Sequence, residues 1–140
     1  VMGLLCPDEM PLLGLVSLMM PAIAMGNRVV VVPSPHKPLA ATDLYQVLDT
    51  SDVPGGVVNI VTGARDELAK TLAEHDDVAA LWYFGSAEGS RLVEAASAGN
   101  LKPTWASAKR RDWLSRIEGQ GTEYLRRATQ VKNIWVPYGE

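Results

Sequence analysis

Short apolar runs alternate along this chain with longer segments whose apolar residues recur every third or fourth position. The first run is Val1 to Cys6, and the spacing that follows predicts a helix from Pro11 to about Met25. Gly26-Asn27 closes that helix, because both residue types tolerate the left-handed conformation found at helix ends. Val29 to Val32 is β-branched throughout, too uniformly apolar to have a wet face, and is expected at the centre of a sheet. Pro33-Ser34-Pro35 ends this strand, and Pro38 opens a helix carrying Leu39, Leu44, Val47 and Leu48 at helical spacing. Pro54-Gly55-Gly56 marks a turn, Val57 to Val61 a third strand ended by Thr62-Gly63, and Asp66 to Glu74 a helix with Leu68 and Leu72 one turn apart.

The alternation continues. Ala79 to Phe84 reads as a fourth strand, Gly85-Ser86 as a turn, Ala87 to Ser97 as a helix burying Leu92, Val93 and Ala96, and Leu101 to Ala106 as a fifth strand. Strands separated by helices of this length predict an α/β fold, a Rossmann-like parallel sheet with helices on both faces. After Ser107 the composition shifts to Lys109-Arg110-Arg111-Asp112 and then to an exposed connector containing Gly119, Gln120 and Gly121. The chain therefore divides into residues 1–111, an αβ domain, and residues 112–140. The second part holds the connector, a short helix capped by Thr122 with Tyr124, Leu125 and Ala128, and a terminal strand from Val131 to Val136. Such a strand can add to a sheet edge, including a partner's.

Composition narrows the function. The net charge of -3 provides no basic field for nucleic acid, so a small molecule or a protein is the better partner. One cysteine and two histidines leave no disulfide and no credible metal cluster, which favours a reducing compartment and a cytoplasmic location. Met10 to Asn27 carries no charge, but Pro11 and Pro21 interrupt it and no basic segment precedes it. It is expected to be a buried helix rather than a membrane span.

Most candidate chemistry has an ordinary reading beside it. Cys6, flanked by apolar residues, is expected to be an inert core thiol. His36 and His75 lack a recognisable nucleophile or carboxylate arrangement, and Asp8-Glu9, Glu74 to Asp77 and Lys109 to Arg111 read as solvated charges. Trp82, Trp105 and Trp113 read as packing residues, while Trp135 is balanced between local packing and an interface anchor. Gly85-Ser86, at a strand-to-helix turn, could aim backbone N–H groups at a pyrophosphate or simply make the turn. For Gly63, turn geometry is the default.

Several landmarks follow one another in a specific order. They are Gly26-Asn27 with the valine run and Pro33-Ser34, then Gly56 to Gly63, then His75 with Asp77-Val78, then Gly85-Ser86, then Asn100-Leu101-Lys102. Together they resemble the nicotinamide-binding half of aldehyde dehydrogenases over about the first 107 residues. The whole chain is most similar to the shortened second domain at the C-terminus of family 16 members. Val131 to Val136, with Ile134, Trp135 and Val136 as interface residues, resembles the family's oligomerisation strand.

The resemblance implies an aldehyde oxidation that uses a cysteine thiolate, an asparagine amide at the oxyanion, a glutamate base and NAD(P) as hydride acceptor. Here Glu9 stands for the asparagine, about Ser107 for the glutamate, and Lys109 and Arg110 for the glycines after it. Val32 and Pro35 replace two polar anchors of the coenzyme ribose, and the half carrying the catalytic cysteine has no counterpart in these residues. These departures lead to the expectation of a non-catalytic, pseudoenzyme-type module with a structural or assembly role, holding no cofactor and packing on a longer aldehyde-dehydrogenase-like domain of the same chain or another subunit. Two alternatives stand beside it. One is a regulatory module that keeps NAD(P) or another nucleotide at Gly63, Gly85 and Ser86; the other is a supporting part of an active NAD-dependent aldehyde dehydrogenase.

Overall fold

In the computed structural model, which describes residues 1–139, the elements alternate as the apolar pattern predicts. They are β1 (Met2–Leu5), α1 (Pro11–Ala24), β2 (Val29–Val32), α2 (Leu39–Asp49), β3 (Val58–Ile60), α3 (Arg65–Glu74), β4 (Ala80–Phe84), α4 (Ala87–Ala96), β5 (Thr104–Ser107) and α5 (Thr122–Arg127), with a 3-10 turn at Ser97–Asn100. All neighbouring strands are parallel, in the order β3-β2-β1-β4-β5. Met2 lies level with both Val29 and Ala80, so β1 is the central strand. That corrects the placement of the valine strand. β2 sits one position out, where β1, β3 and both helical layers still cover it, and this satisfies its uniform hydrophobicity equally well.

Alternation along each strand sorts side chains into two cores. Met2, Leu4, Cys6, Trp82 and Phe84 face the layer formed by α1, α2 and α5. Leu5, Leu81 and Tyr83 face α3 and α4, which meet them with Ala69, Ala73 and Val93. Pro11 opens α1 where no N–H partner is needed, and Gly26, at φ 84°, reverses the chain at its end. Asn27 then donates from its side chain to Ala22 O at 3.0 Å and to Ala128 O at 2.8 Å, tying the end of α5 to the end of α1. Among the described residues, no helix is long and apolar enough to cross a membrane.

Several boundaries differ from expectation. In α2 the buried residues are Ala41 and Leu48, with Leu44 packed beside them, while Leu39 and Val47 face solvent, so the apolar stripe is narrower than its spacing implied. β5 begins at Thr104. Leu101 instead ends the 3-10 turn in a left-handed conformation with its side chain exposed, and Lys102 is buried, donating to Leu72 O at 3.2 Å and His75 O at 2.7 Å. A cation is favourable there because α3 ends on unpaired carbonyls.

Residues 112–128 pack onto the sheet. Trp113, Tyr124 and Ala128 belong to the larger core, and Gly119, expected to be exposed, is buried against the Trp113 backbone, where no side chain would fit. Thr122 is the first residue of α5 and not its cap; that place belongs to Gly121, which makes no side-chain bond. The expected terminal strand is absent: residues 128–139 hold no regular structure. A single strand has no hydrogen-bond partner of its own, and none of the sheet's edges in this chain accepts Val131 to Val136. Glu140 lies outside the described residues.

Candidate functional site

In an open parallel sheet, ligands bind outside the carboxyl ends of the strands, where neighbouring crossovers leave in opposite directions. Here that point lies between β1 and β4, because the chain from β1 leads to β2 on one side while β4 leads to β5 on the other. A crevice of about 240 Å3 opens there, lined among others by Asp8, Glu9, Arg65, Gly85, Ser86 and Lys109. Two of the three glycine-turn residues singled out from sequence, Gly85 and Ser86, are in it. Gly63 is not: it follows the edge strand β3, and a Cβ on it would meet Leu68 at 3.0 Å, the signature of a packed turn.

The crevice is crossed by an ion pair. Arg65, the first residue of α3, donates from Nη2 to Asp8 Oδ2 at 2.7 Å and from Nη1 to Cys6 O at 2.8 Å. The other Asp8 oxygen accepts from Ser34 Oγ at 2.7 Å. Asp8 is therefore not the solvated charge its sequence context suggested. Burial alone would raise its pKa, but the hydrogen bonds from Ser34 and Arg65 and the charge of Arg65 reverse the sign and hold the carboxyl below its usual range. Burial works against the Arg65 guanidinium too, and the bond and charge of Asp8 outweigh it, so its pKa is raised.

A second network lies beside the first. Tyr83 Oη donates to Asp66 Oδ1 at 2.6 Å and accepts from the Ser86 N–H at 3.2 Å. Ser86 Oγ caps α4 by accepting from the Gly89 N–H at 2.9 Å. Burial and the bond to Asp66 push the Tyr83 hydroxyl pKa up, so it stays protonated near neutrality. Cys6 behaves as expected: it is fully buried, and desolvation pushes its thiol up to about 12 in spite of the nearby Arg65 charge. Neither group is poised to act as a nucleophile or base at neutral pH. Among the described residues no cluster of histidine, cysteine and carboxylate side chains could hold a metal.

Of Lys109 to Arg111, the first two are exposed as expected, and Arg111 departs from the solvated reading. Arg111 is enclosed by Phe84, Trp105, Trp113 and Tyr124, whose ring centroids lie 5.1 to 5.9 Å from its guanidinium carbon. It also donates to Glu118 O at 2.7 Å and to Tyr124 Oη at 3.1 Å. The interface candidates Ile134, Trp135 and Val136 are far more open, at 84%, 93% and 70% exposed.

Residues 1–108 match the sequence profile of the aldehyde dehydrogenase family. The chain belongs to that family. It is 35% identical over 109 residues to the NADP/NAD-dependent aldehyde dehydrogenase PuuC of Escherichia coli strain K12, covering 77% of this chain and 22% of that protein. It is 36% identical over 104 residues to the 2-hydroxymuconic semialdehyde dehydrogenase of Pseudomonas sp. strain CF600, covering 74% of this chain and 21% of that one. A crystal structure of a mutant aldehyde dehydrogenase C from Pseudomonas syringae, in complex with NAD+ and octanal, superposes with a TM-score of 0.72 and 33% identity over 74% of this chain and 21% of that one. The chain thus spans about a fifth of the length of the aldehyde dehydrogenases it matches.

These findings correct the reading of the chain as a non-catalytic module. Its matched relatives are named as dehydrogenases, and a stretch covering 22% of such an enzyme does not report on groups carried by the remainder.

The coenzyme implied by the family can be tested against the residues present. Of the N–H groups at the start of α4, those of Ser86 and Gly89 already have acceptors. A Cβ on Gly85 would meet Tyr83 Oη at 2.6 Å, and one on Gly89 would come closer still, so Tyr83 fills from within the space these glycines leave. Val32, which the resemblance sets against a ribose-binding lysine, is buried in the sheet. In this crevice the residues do not fit a dinucleotide. Sequence reasoning missed Arg65, Asp66, Tyr83 and Ser34. One local signal was available, since an arginine at a helix start opposes the helix dipole unless an anion outside the helix holds it.

Proposed function

We propose that this chain is a supporting part of an active NAD(P)-dependent aldehyde dehydrogenase, in which the thiolate, the oxyanion donor and the base come from the rest of a longer protein. The observation that carries this reading is the family match over residues 1–108 to enzymes of which the chain spans about a fifth. The finer reading is a shortened second domain of the family 16 kind, packed on a longer copy of the fold in the same chain or in another subunit. The apolar tail favours that arrangement, because Ile134, Trp135 and Val136 have no cover within the chain and the sheet edges remain open.

Deletion of residues 112–140 from the longer protein tests the proposal. This removes the tail together with Trp113 and Tyr124 of the core. Loss of NAD(P)-dependent aldehyde oxidation is the expected outcome; full activity after the deletion would contradict the supporting role.

A further inference from the structure

We infer that the crevice at the carboxyl ends of the strands is bordered by an internal latch, the bonded network of Asp8, Ser34, Arg65, Asp66, Tyr83 and Ser86, and that the coenzyme of the longer protein is bound by a different part of it. The latch joins four connections that a dinucleotide site would need free. Asp8 follows β1, Ser34 follows β2, Arg65 and Asp66 open α3, and Tyr83 with Ser86 brackets the turn from β4 into α4.

Bonding and space agree. Arg65, a cation that could meet a phosphate, is already paired with Asp8 at 2.7 Å and with a backbone carbonyl at 2.8 Å, and only its buried Nε is without a partner. A pyrophosphate entering the turn would displace the Tyr83 hydroxyl from the Ser86 N–H and bring its charge beside the Asp66 carboxylate, 2.6 Å from that hydroxyl. The lining carries Glu9 but also Lys109 and Arg111, so the exclusion rests on the bonds already made and on space, not on net charge. The glycines that elsewhere allow close approach of a ligand are here filled from inside by Tyr83. The inference rests on the supporting role proposed above only in where it sends the coenzyme; the latch itself is a property of these residues.

The test is titration of the isotopically labelled 140-residue chain with NAD+ and with NADP+, following the amide resonances of Gly85, Ser86 and Gly89 by NMR. The expected result is no saturable shift at these amides with either dinucleotide. Saturable shifts there would overturn the inference. Tyr83→Phe supplies a second reading: with its acceptor gone, the Ser86 amide proton is expected to move upfield while the rest of the spectrum keeps its dispersion. An unmoved Ser86 proton would show that its N–H was not engaged, and would also overturn the latch. Failure of the supporting role is seen separately, as undiminished activity of the longer protein after deletion, whatever the titration gives.

Discussion

The layer of the sheet under α1 and α5 is held by aromatic rings, whereas the rim at the carboxyl ends of the strands is held by charges and hydroxyls. On the aromatic side Trp82, Phe84, Trp105, Trp113 and Tyr124 meet edge to face, with centroids 5.0 to 6.4 Å apart, and the last four enclose Arg111. On the polar side Asp8, Arg65, Asp66 and Tyr83 make short bonds, but the Asp8 side chain is 34% exposed. Burial of large rings contributes several kcal/mol each, while a pair still reached by water contributes little. The aromatic side therefore determines whether the segment folds, and the polar side determines what its crevice admits.

The largest effect is expected at the aromatic side. Trp105→Ala removes a ring that touches Trp82, Phe84 and Tyr124 and lies 4.4 Å from the Arg127 guanidinium carbon. It should cost about 3–5 kcal/mol in denaturant-induced unfolding. A loss below about 1 kcal/mol would mean that the cluster is not the centre of stability. Arg65→Ala comes next. It leaves Asp8 Oδ2 and the Cys6 carbonyl without a donor, while Ser34 still donates to Asp8 Oδ1, and with partial solvent screening the same unfolding measurement should fall by about 1–2 kcal/mol.

A smaller effect concerns pH. Because the folded pKa of Asp8 lies below its unfolded value, its contribution is complete above the unfolded carboxylate pKa of about 3.9 and is lost as pH falls through the lowered folded value. Unfolding free energy measured below about pH 4 should drop less steeply in Asp8→Asn than in the unsubstituted chain; identical slopes would remove Asp8 from the account. The smallest effect is expected from Trp135→Ala. With a side chain 93% exposed, it should shift the stability of the isolated chain by less than about 0.5 kcal/mol, yet weaken association with a longer aldehyde-dehydrogenase-like domain. A large stability loss would show that the tail packs on its own chain.

The same contrast explains how much could be read from sequence. The elements of the sheet were legible because apolar periodicity is local, and the family landmarks placed the β4 to α4 turn at Gly85-Ser86 correctly. The latch was not legible, because Arg65 and Asp8 are 57 residues apart and Tyr83 and Asp66 are 17 apart, and neither spacing leaves a trace in a local pattern. Arg111 read as solvated for the same reason: rings contributed by β4, β5 and the residues after them surround it only in the fold. The tail differs in another way: within this chain Val131 to Val136 forms no strand. Alternation from Val131 to Val136 tells which side chains would share a face, but a strand also needs an edge to bond to, and the alternation carries no information about that.

The most direct test of the central claim is the rate of NAD(P)-dependent aldehyde oxidation by the longer protein, compared with a form carrying Trp105→Ala in this segment. With about 3–5 kcal/mol less stability the segment should unfold at a lower temperature, and the rate should be lost at that same temperature. An unchanged rate from a protein whose segment is shown to be unfolded would contradict the claim that this segment supports a working aldehyde dehydrogenase.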